Sequence, residues 1–244
     1  MKWMPVLATL VGCASARVEH GGTADGGDGS GDGGVVTLDG DVDIDAALPI
    51  DAAITKTLTQ NNSTAIVATA IGCRQTNPAT DYTRENSYYR VFPLADHQIT
   101  TSFHVTQVTF HVERASSPAG SQPATVKLGT YAGTIGAATL DVAQVTSLGT
   151  AQISIPNGAT SVVTPVGMFT PSSITVPANS NLIVEVLIPD GETAQNIFFI
   201  GSNNGGETRP GYIRAPICNF PTPSTYATVG FPEIQILLSV TGTY

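Results

Sequence analysis

An all-β fold is predicted for residues 56–244 of this 244-residue chain: an antiparallel β-sandwich, jelly-roll-like, behind a disordered N-terminal tether. Segments in which apolar and polar residues alternate recur there at short intervals, and Gly, Pro, Asn and Asp separate them. No stretch has a convincing helical period, since residues 137–145, the best candidate, show only a weak one. Many short strands without helices are typical of a sandwich.

The predicted strands follow this alternation along the chain. Val108, Phe110 and Val112, for example, point to one face of their strand, and the polar residues between them point to the other. The segment 203–232, rich in proline and glycine, is predicted to be the longest irregular connection. In chain order, the predicted strands are 87–94, 105–114, 124–131, 148–155, 161–169, 181–188, 196–202 and 233–241.

The N-terminal residues predict export and a lipid anchor. Lys2 precedes a short apolar run that ends in Leu10-Val11-Gly12-Cys13. Such a run covers about half of a ~30 Å hydrocarbon core, so residues 1–12 are predicted to be a signal peptide and not a membrane span. The tetrad resembles the lipobox of bacterial lipoproteins, which implies lipidation of Cys13 and, with Ala14 after it, sorting to the outer membrane. An ordinary secretory signal with an incidental cysteine is the alternative.

Residues 13–55 form the predicted tether. They are rich in Gly, Ala and Asp and hold nine of the 19 acidic residues, with too little apolar surface to offset the entropy of ordering. The remaining residues suffice for one domain with a core. They carry no cluster of basic residues that could bind phosphates, so nucleic acid is not an expected partner.

Two cysteines remain when Cys13 is assigned to the lipid. In an oxidising compartment, Cys73 and Cys218 are predicted to form a disulfide. Two separate buried thiols are the alternative.

A second resemblance covers residues 73–244. The chain is similar there to an uncharacterised module of bacterial extracellular and surface proteins, often found beside proteases or adhesive domains. The resemblance implies a non-enzymatic β-sandwich accessory module and supplies no catalytic residues. The segments that carry it are Asn86-Ser87-Tyr88-Tyr89-Arg90-Val91-Phe92, Val184-Glu185-Val186, Pro189-Asp190-Gly191, Phe199-Ile200-Gly201-Ser202-Asn203, Cys218 and Gly230-Phe231-Pro232.

Metal chemistry has little support in the sequence. His104 and His111 have opposite parity, so without a bulge they would face opposite sides of a strand. The acidic run 39–45 lacks the glycine and the terminal glutamate that an EF-hand loop requires. No cofactor is therefore predicted, and calcium is left open only for four scattered carboxylates: Asp81, Glu85, Asp190 and Glu192.

Hydrolase chemistry is not predicted either. The chain contains neither Gly-x-Ser-x-Gly nor His-Glu-x-x-His. Glu113, Glu185 and Glu233 could act in glycoside hydrolysis only if the fold placed two of them about 5–9.5 Å apart. Solvated sheet residues are the simpler interpretation, so no catalytic residue is assigned and the protein is not expected to be an enzyme.

Carbohydrate binding is the activity that suits such a sandwich best. The one tryptophan, Trp3, lies in the signal peptide, so tyrosines are the candidate stacking platforms. Sheet packing is the alternative role for each tyrosine. The predicted ligand-binding residues cluster within 203–232 and are Arg209, Tyr212, Arg214, Asn219 and Tyr226.

These observations predict a non-catalytic lipoprotein, anchored by its lipid in the bacterial outer membrane and facing the periplasm or the surface. The sandwich is expected to be a binding or adhesion module for a polysaccharide or a surface protein. A passive envelope or surface-layer spacer and a hydrolase-associated accessory domain are the alternatives.

Overall fold

The computed structural model describes residues 53–67, 70–77 and 80–244. The predicted signal peptide, the lipidation site Cys13 and the linker up to residue 52 lie outside this part of the chain. Within it, no helix is both long enough and apolar enough to cross a membrane.

Short strands make up most of the described chain, and turns and single-turn 3₁₀ helices connect them. Threonine, valine and isoleucine are frequent in these strands, since β-branched side chains pack well on a pleated surface. In chain order the strands are β1 (Thr55–Leu58), β2 (Arg74–Asn77), β3 (Thr80–Thr83), β4 (Asn86–Pro93), β5 (Phe103–Ser116), β6 (Ser121–Tyr131), β7 (Val145–Pro156), β8 (Ser161–Pro165), β9 (Ile174–Val176), β10 (Asn181–Ile188), β11 (Ile197–Ile200), β12 (Ser202–Asn203), β13 (Tyr212–Ala215), β14 (Phe220–Thr225), β15 (Gln235–Ile236) and β16 (Leu238–Thr243).

Strand β5 is the central strand of the first large sheet. The order of this sheet is β1–β16–β5–β11, and β8 and β9 also pair with β5. Val108 of β5 lies opposite Val240 of β16 on one edge and opposite Thr164 of β8 on the other. The fourteen residues of β5 therefore join strands from both halves of the chain into one sheet.

The second large sheet has the order β14–β13–β4–β10–β6–β7, and every neighbouring pair is antiparallel. Strand β10 lies inside this sheet, between β4 and β6. Its Glu185 is directly opposite Tyr89 on one side and Lys127 on the other. This register places three polar side chains in a row on one face of the sheet.

The two large sheets pack face to face around the main hydrophobic core. Val108, Phe110 and Val112 of β5 contribute to one wall, as their alternation predicts, and Val184 and Val186 of β10 contribute to the other. Each such fully buried side chain contributes about 1.5–3 kcal/mol relative to exposure. The prediction of an all-β sandwich is confirmed.

Several predicted elements differ from the observed ones at the edges of the sheets. Strand 181–188 is confirmed residue for residue, but the prediction that 203–232 is irregular was wrong because β13 and β14 lie there. Pro221 and Pro223 obscured β14, which is an edge strand, where proline is tolerated since the ladder has a free side. Residues 137–145 form no α-helix and contain one 3₁₀ turn.

A β-bulge in β5 changes the predicted orientation of two histidines. The register with β16 slips at Thr106, which becomes the extra residue. Val105 before the bulge and Val108 after it both point into the core. His104 and His111 consequently share the outer face of the first sheet, where about 20 Å of extended chain separates them. The expectation of opposite faces is corrected, and the distance still prevents a shared metal ion.

The predicted disulfide between Cys73 and Cys218 is confirmed, with the two Cα atoms 5.8 Å apart. Cys73 directly precedes β2, and Cys218 ends the 3₁₀ turn between β13 and β14. The bond therefore attaches the edge hairpin of the second sheet to a segment 145 residues earlier in the chain.

Candidate binding site

Residues 132–144, which connect β6 to β7, lie over the outer face of the second sheet. Leu140 in this segment is 1 % exposed and packs in a second apolar cluster with Tyr89 and Tyr212. Its backbone N–H donates to the carbonyl oxygen of Pro223 in β14. The segment is thus held both by apolar packing and by the edge of the sheet.

An open groove runs between this segment and the β13–β14 hairpin, and we call it the outer groove. Its volume is about 650 Å³, within the range of about 300–1,000 Å³ that is usual for small-molecule sites. Val142 and Pro221 supply exposed apolar surface. The polar side chains that line it are Thr134, Thr139, Asp141, Gln144, Arg214 and Thr222.

The two charged groups of the outer groove are already engaged within the protein. Asp141 is the N-cap of a 3₁₀ turn and accepts a hydrogen bond from the Ala143 N–H at 3.0 Å. Arg214 donates to Glu85 Oε1 at 2.6 Å and to the Pro221 carbonyl oxygen at 3.1 Å. These contacts orient both side chains. Glu85 neutralises Arg214, whereas Asp141 is held by neutral donors and keeps its negative charge.

The two tyrosines predicted as stacking platforms are buried. Tyr212 is 1 % exposed in the apolar cluster under residues 132–144, and Tyr226 is 3 % exposed in the main core. Neither ring can present its face to a ligand, so the prediction of these platforms was wrong. Both tyrosines fall in the segment predicted to be irregular, where their rings would be exposed, whereas Tyr212 lies in β13 and Tyr226 directly follows β14.

The other three predicted ligand-binding residues lie in different places. Arg214 lines the outer groove. Arg209 forms an exposed ion pair with Asp96, with Nε 2.8 Å from Oδ2. Asn219, at φ 67°, ends the 3₁₀ turn beside the disulfide. The five residues therefore do not form one site, and only Arg214 belongs to the groove.

Each carboxylate that was left open for calcium pairs with an arginine. Arg74 binds Asp81 at 2.6 Å, and this hydrogen bond lowers the pKa of Asp81. Arg84 binds both Asp190 and Glu192, at 3.2 Å and 2.6 Å, and Glu85 binds Arg214. In the part of the chain that the structure describes, no three His, Cys, Asp or Glu side chains are grouped to hold a metal ion. The four carboxylates consequently do not make a common calcium site.

The glutamates considered for hydrolysis are not brought into one cleft. Glu113 lies on the outer face of the first sheet, where its Oε2 accepts a hydrogen bond from the Ala70 N–H at 2.8 Å. Glu185 lies on the outer face of the second sheet, beside Tyr89. The whole sandwich separates these two carboxylates, and Glu233 is in the exposed turn before β15.

A charged network that was not predicted from the sequence lies inside the sandwich. Arg90 of β4 is fully buried, and each of its five N–H groups has an acceptor. Two donate to the Ile236 carbonyl oxygen, one to Gln60 Oε1, one to the Arg209 carbonyl oxygen and one to Glu207 Oε2 at 2.7 Å. The signal that could have revealed it is an arginine within an otherwise aromatic and apolar strand.

Burial dominates the electrostatics of this network. It raises the pKa of Glu207, and the nearby guanidinium of Arg90 opposes that rise. Burial also raises the pKa of Tyr226, which therefore remains a neutral phenol. A buried ion pair of this kind holds segments together only while every partner is present.

The described residues thus define an all-β sandwich domain with an open polar groove on an outer sheet face. No protein-family model, curated protein or solved structure matches the chain.

Proposed function

We propose that the protein is a cell-envelope lipoprotein whose sandwich is a non-catalytic binding module, and that the outer groove binds a segment of a polysaccharide. The observation that carries this proposal is the groove itself: about 650 Å³ of open volume lined by hydroxyl, amide and guanidinium groups. A protein partner for the same surface is the alternative.

The chemistry of the groove favours a neutral, hydroxyl-rich ligand. The Thr134, Thr139 and Thr222 hydroxyls can each donate and accept, and the Gln144 amide does both at fixed positions. Sugar hydroxyl groups also donate and accept, so they can satisfy these partners without bringing a charge. The exposed ring of Pro221 and the exposed side chain of Val142 offer apolar surface for the C–H faces of the sugar.

Binding without catalysis is favoured by the carboxylate content of the groove. Among the described lining residues, Asp141 is the one carboxylate, and it caps the turn at its own segment. Glycoside hydrolysis in most families uses two carboxylates that flank the scissile bond. The groove is therefore better suited to hold a chain than to cleave it.

Filling the outer groove is expected to abolish polysaccharide binding. Ala137 lines the groove, so Ala137→Trp would place an indole where the ligand lies and weaken binding more than tenfold. The measurement is binding of the full-length protein to an array of bacterial and plant polysaccharides. Ala119→Trp, in the exposed turn between β5 and β6, is the matched control and should bind like the wild type. Absence of binding to every polysaccharide, or equal binding by Ala137→Trp, would refute the proposal.

The lipid anchor has a separate test because its support comes from residues 10–13 of the sequence alone. Cys13→Ser is expected to move the protein from the membrane fraction to the soluble fraction, since the serine cannot be lipidated. Ser15→Ala, which leaves the tetrad intact, should remain with the membrane. Unchanged fractionation of Cys13→Ser would contradict the anchor and leave the binding proposal standing.

A further inference from the structure

A second, smaller cavity lies beside the outer groove on the same sheet face, and we call it the side cavity. Its volume is about 220 Å³. Val142 borders both spaces, so they are neighbours on this sheet face. Its apolar lining includes Val142, Val145 and Ile183. Tyr89, Lys127 and Glu185 form a polar cluster at one end.

The polar end of the side cavity is built by the register of the sheet. Glu185 of β10 lies opposite Tyr89 of β4 and Lys127 of β6. The Tyr89 hydroxyl donates to Glu185 Oε1 at 3.0 Å, and Lys127 Nζ is 3.1 Å from Glu185 Oε2. The positive and negative charges balance within the cluster. A ligand that carries a net charge would therefore find no unpaired counter-charge here.

Further hydrogen bonds are available at this end. The Lys127 ammonium has three N–H donors, and Glu185 accounts for one of them in the ion pair. The Lys127 side chain is 42 % exposed, so its remaining donors can turn to a ligand. Glu185, at 17 % exposure, keeps free lone pairs toward the cavity. The cluster can thus both donate to and accept from neighbouring hydroxyl groups.

The size and the walls of the side cavity limit the ligand further. A volume of about 220 Å³ is below the range of about 300–1,000 Å³ for drug-sized ligands, so one six-membered ring is the appropriate size. The exposed Val142 and the half-buried Val145 present methyl groups, which pack against C–H bonds and not against hydroxyls. A pyranose has this division, with C–H bonds on its faces and hydroxyls around its rim.

We propose that the side cavity is a subsite for one neutral pyranose ring at an end of the polysaccharide that the outer groove holds. This inference rests on the proposed function and adds to it that the module recognises a chain end. The sugar hydroxyls bind Glu185 and Lys127, and one face of the ring packs on Val142 and Val145.

Free monosaccharides test the subsite directly. Saturation-transfer NMR of the full-length protein with glucose, galactose, mannose, rhamnose and N-acetylglucosamine should detect binding of at least one. Ser147 lines the side cavity but not the outer groove, so Ser147→Trp should weaken this binding more than tenfold. Ala137→Trp, which fills only the groove, should leave it unchanged. Ser154→Trp, exposed on the same strand, is the matched control.

A second variant keeps the test valid if the tryptophan disturbs β7. Lys127→Gln retains most of the side-chain length and removes the ammonium donors, and it should weaken monosaccharide binding several-fold. Polysaccharide binding that is insensitive to Ser147→Trp, with no monosaccharide bound, would overturn the subsite and leave the proposed function intact. Preference for glucuronic acid or glucosamine over neutral sugars would also overturn it. Failure of both polysaccharide and monosaccharide binding would remove the proposed function as well.

Discussion

Arg90→Met is expected to lower the free energy of unfolding by about 3–5 kcal/mol, the range measured when one partner of a buried ion pair is removed. Methionine fills much of the same volume but donates no hydrogen bond. The change would leave the Ile236 and Arg209 carbonyl oxygens and the Gln60 side chain without their donor. Urea or guanidinium titration, monitored by far-ultraviolet circular dichroism, measures the decrease in the free energy of unfolding.

The carboxylate of Glu207 determines how much the free energy of unfolding falls in Arg90→Met. Without Arg90 it is a buried charge that lacks its partner, although its side chain keeps 18 % exposure and can recover some hydration. We therefore expect the lower half of the range. Arg90→Met combined with Glu207→Gln should recover part of the loss, since the amide carries no charge to desolvate.

An exposed arginine provides the matched control for Arg90. Arg209 forms an ion pair with Asp96, and both side chains are more than a third exposed. Arg209→Met should cost at most about 1 kcal/mol, because surface ion pairs contribute little. Similar costs for Arg90→Met and Arg209→Met would show that the interior network does not stabilise the sandwich.

Removal of the Cys73–Cys218 disulfide is expected to have the next largest effect. The bond closes a loop with a sequence separation of 145 residues. The chain-entropy model gives about 5 kcal/mol for such a loop, and measured values are usually about 2–4 kcal/mol. We expect Cys73→Ser/Cys218→Ser to lower the free energy of unfolding by that measured amount, determined by denaturant titration.

Reduction of the wild-type protein tests the same bond without a mutation. Dithiothreitol should destabilise the wild type and have no further effect on the double serine variant. Hydrogen exchange should accelerate first in β13 and β14, because the disulfide holds this edge hairpin to the segment before β2. Equal stability of the oxidised and reduced wild type would contradict a structural role.

The sequence predicted best those strands whose alternating or continuous apolar residues are buried in the core. The alternation of Val108, Phe110 and Val112 places them in the core, and the apolar run of 181–188 is an inner strand. Two edge strands were missed, since β14 contains prolines and β1 has only four residues. A short edge strand buries too few side chains to leave a periodic signal.

The candidate site was the less predictable part. The outer groove combines residues 132–144 with residues 214–223, which are about 80 positions apart in the chain. Arg214 was predicted as a ligand-binding residue, but its expected neighbours Tyr212 and Tyr226 are covered by other segments. Burial of an aromatic ring depends on what packs over it, and the local sequence does not contain that information.

By itself, the sequence determined the all-β class and most of the inner strands, and it predicted the pairing of Cys73 with Cys218 with two free thiols as the alternative. Period-2 alternation identifies a strand that has one buried face, and a small number of cysteines leaves few pairings. Only the tertiary structure decided that Arg90 is an interior charge, that the four scattered carboxylates pair with arginines, and that residues 132–144 form a groove. These features arise from contacts between distant segments, whose positions are set when the two sheets close around the core.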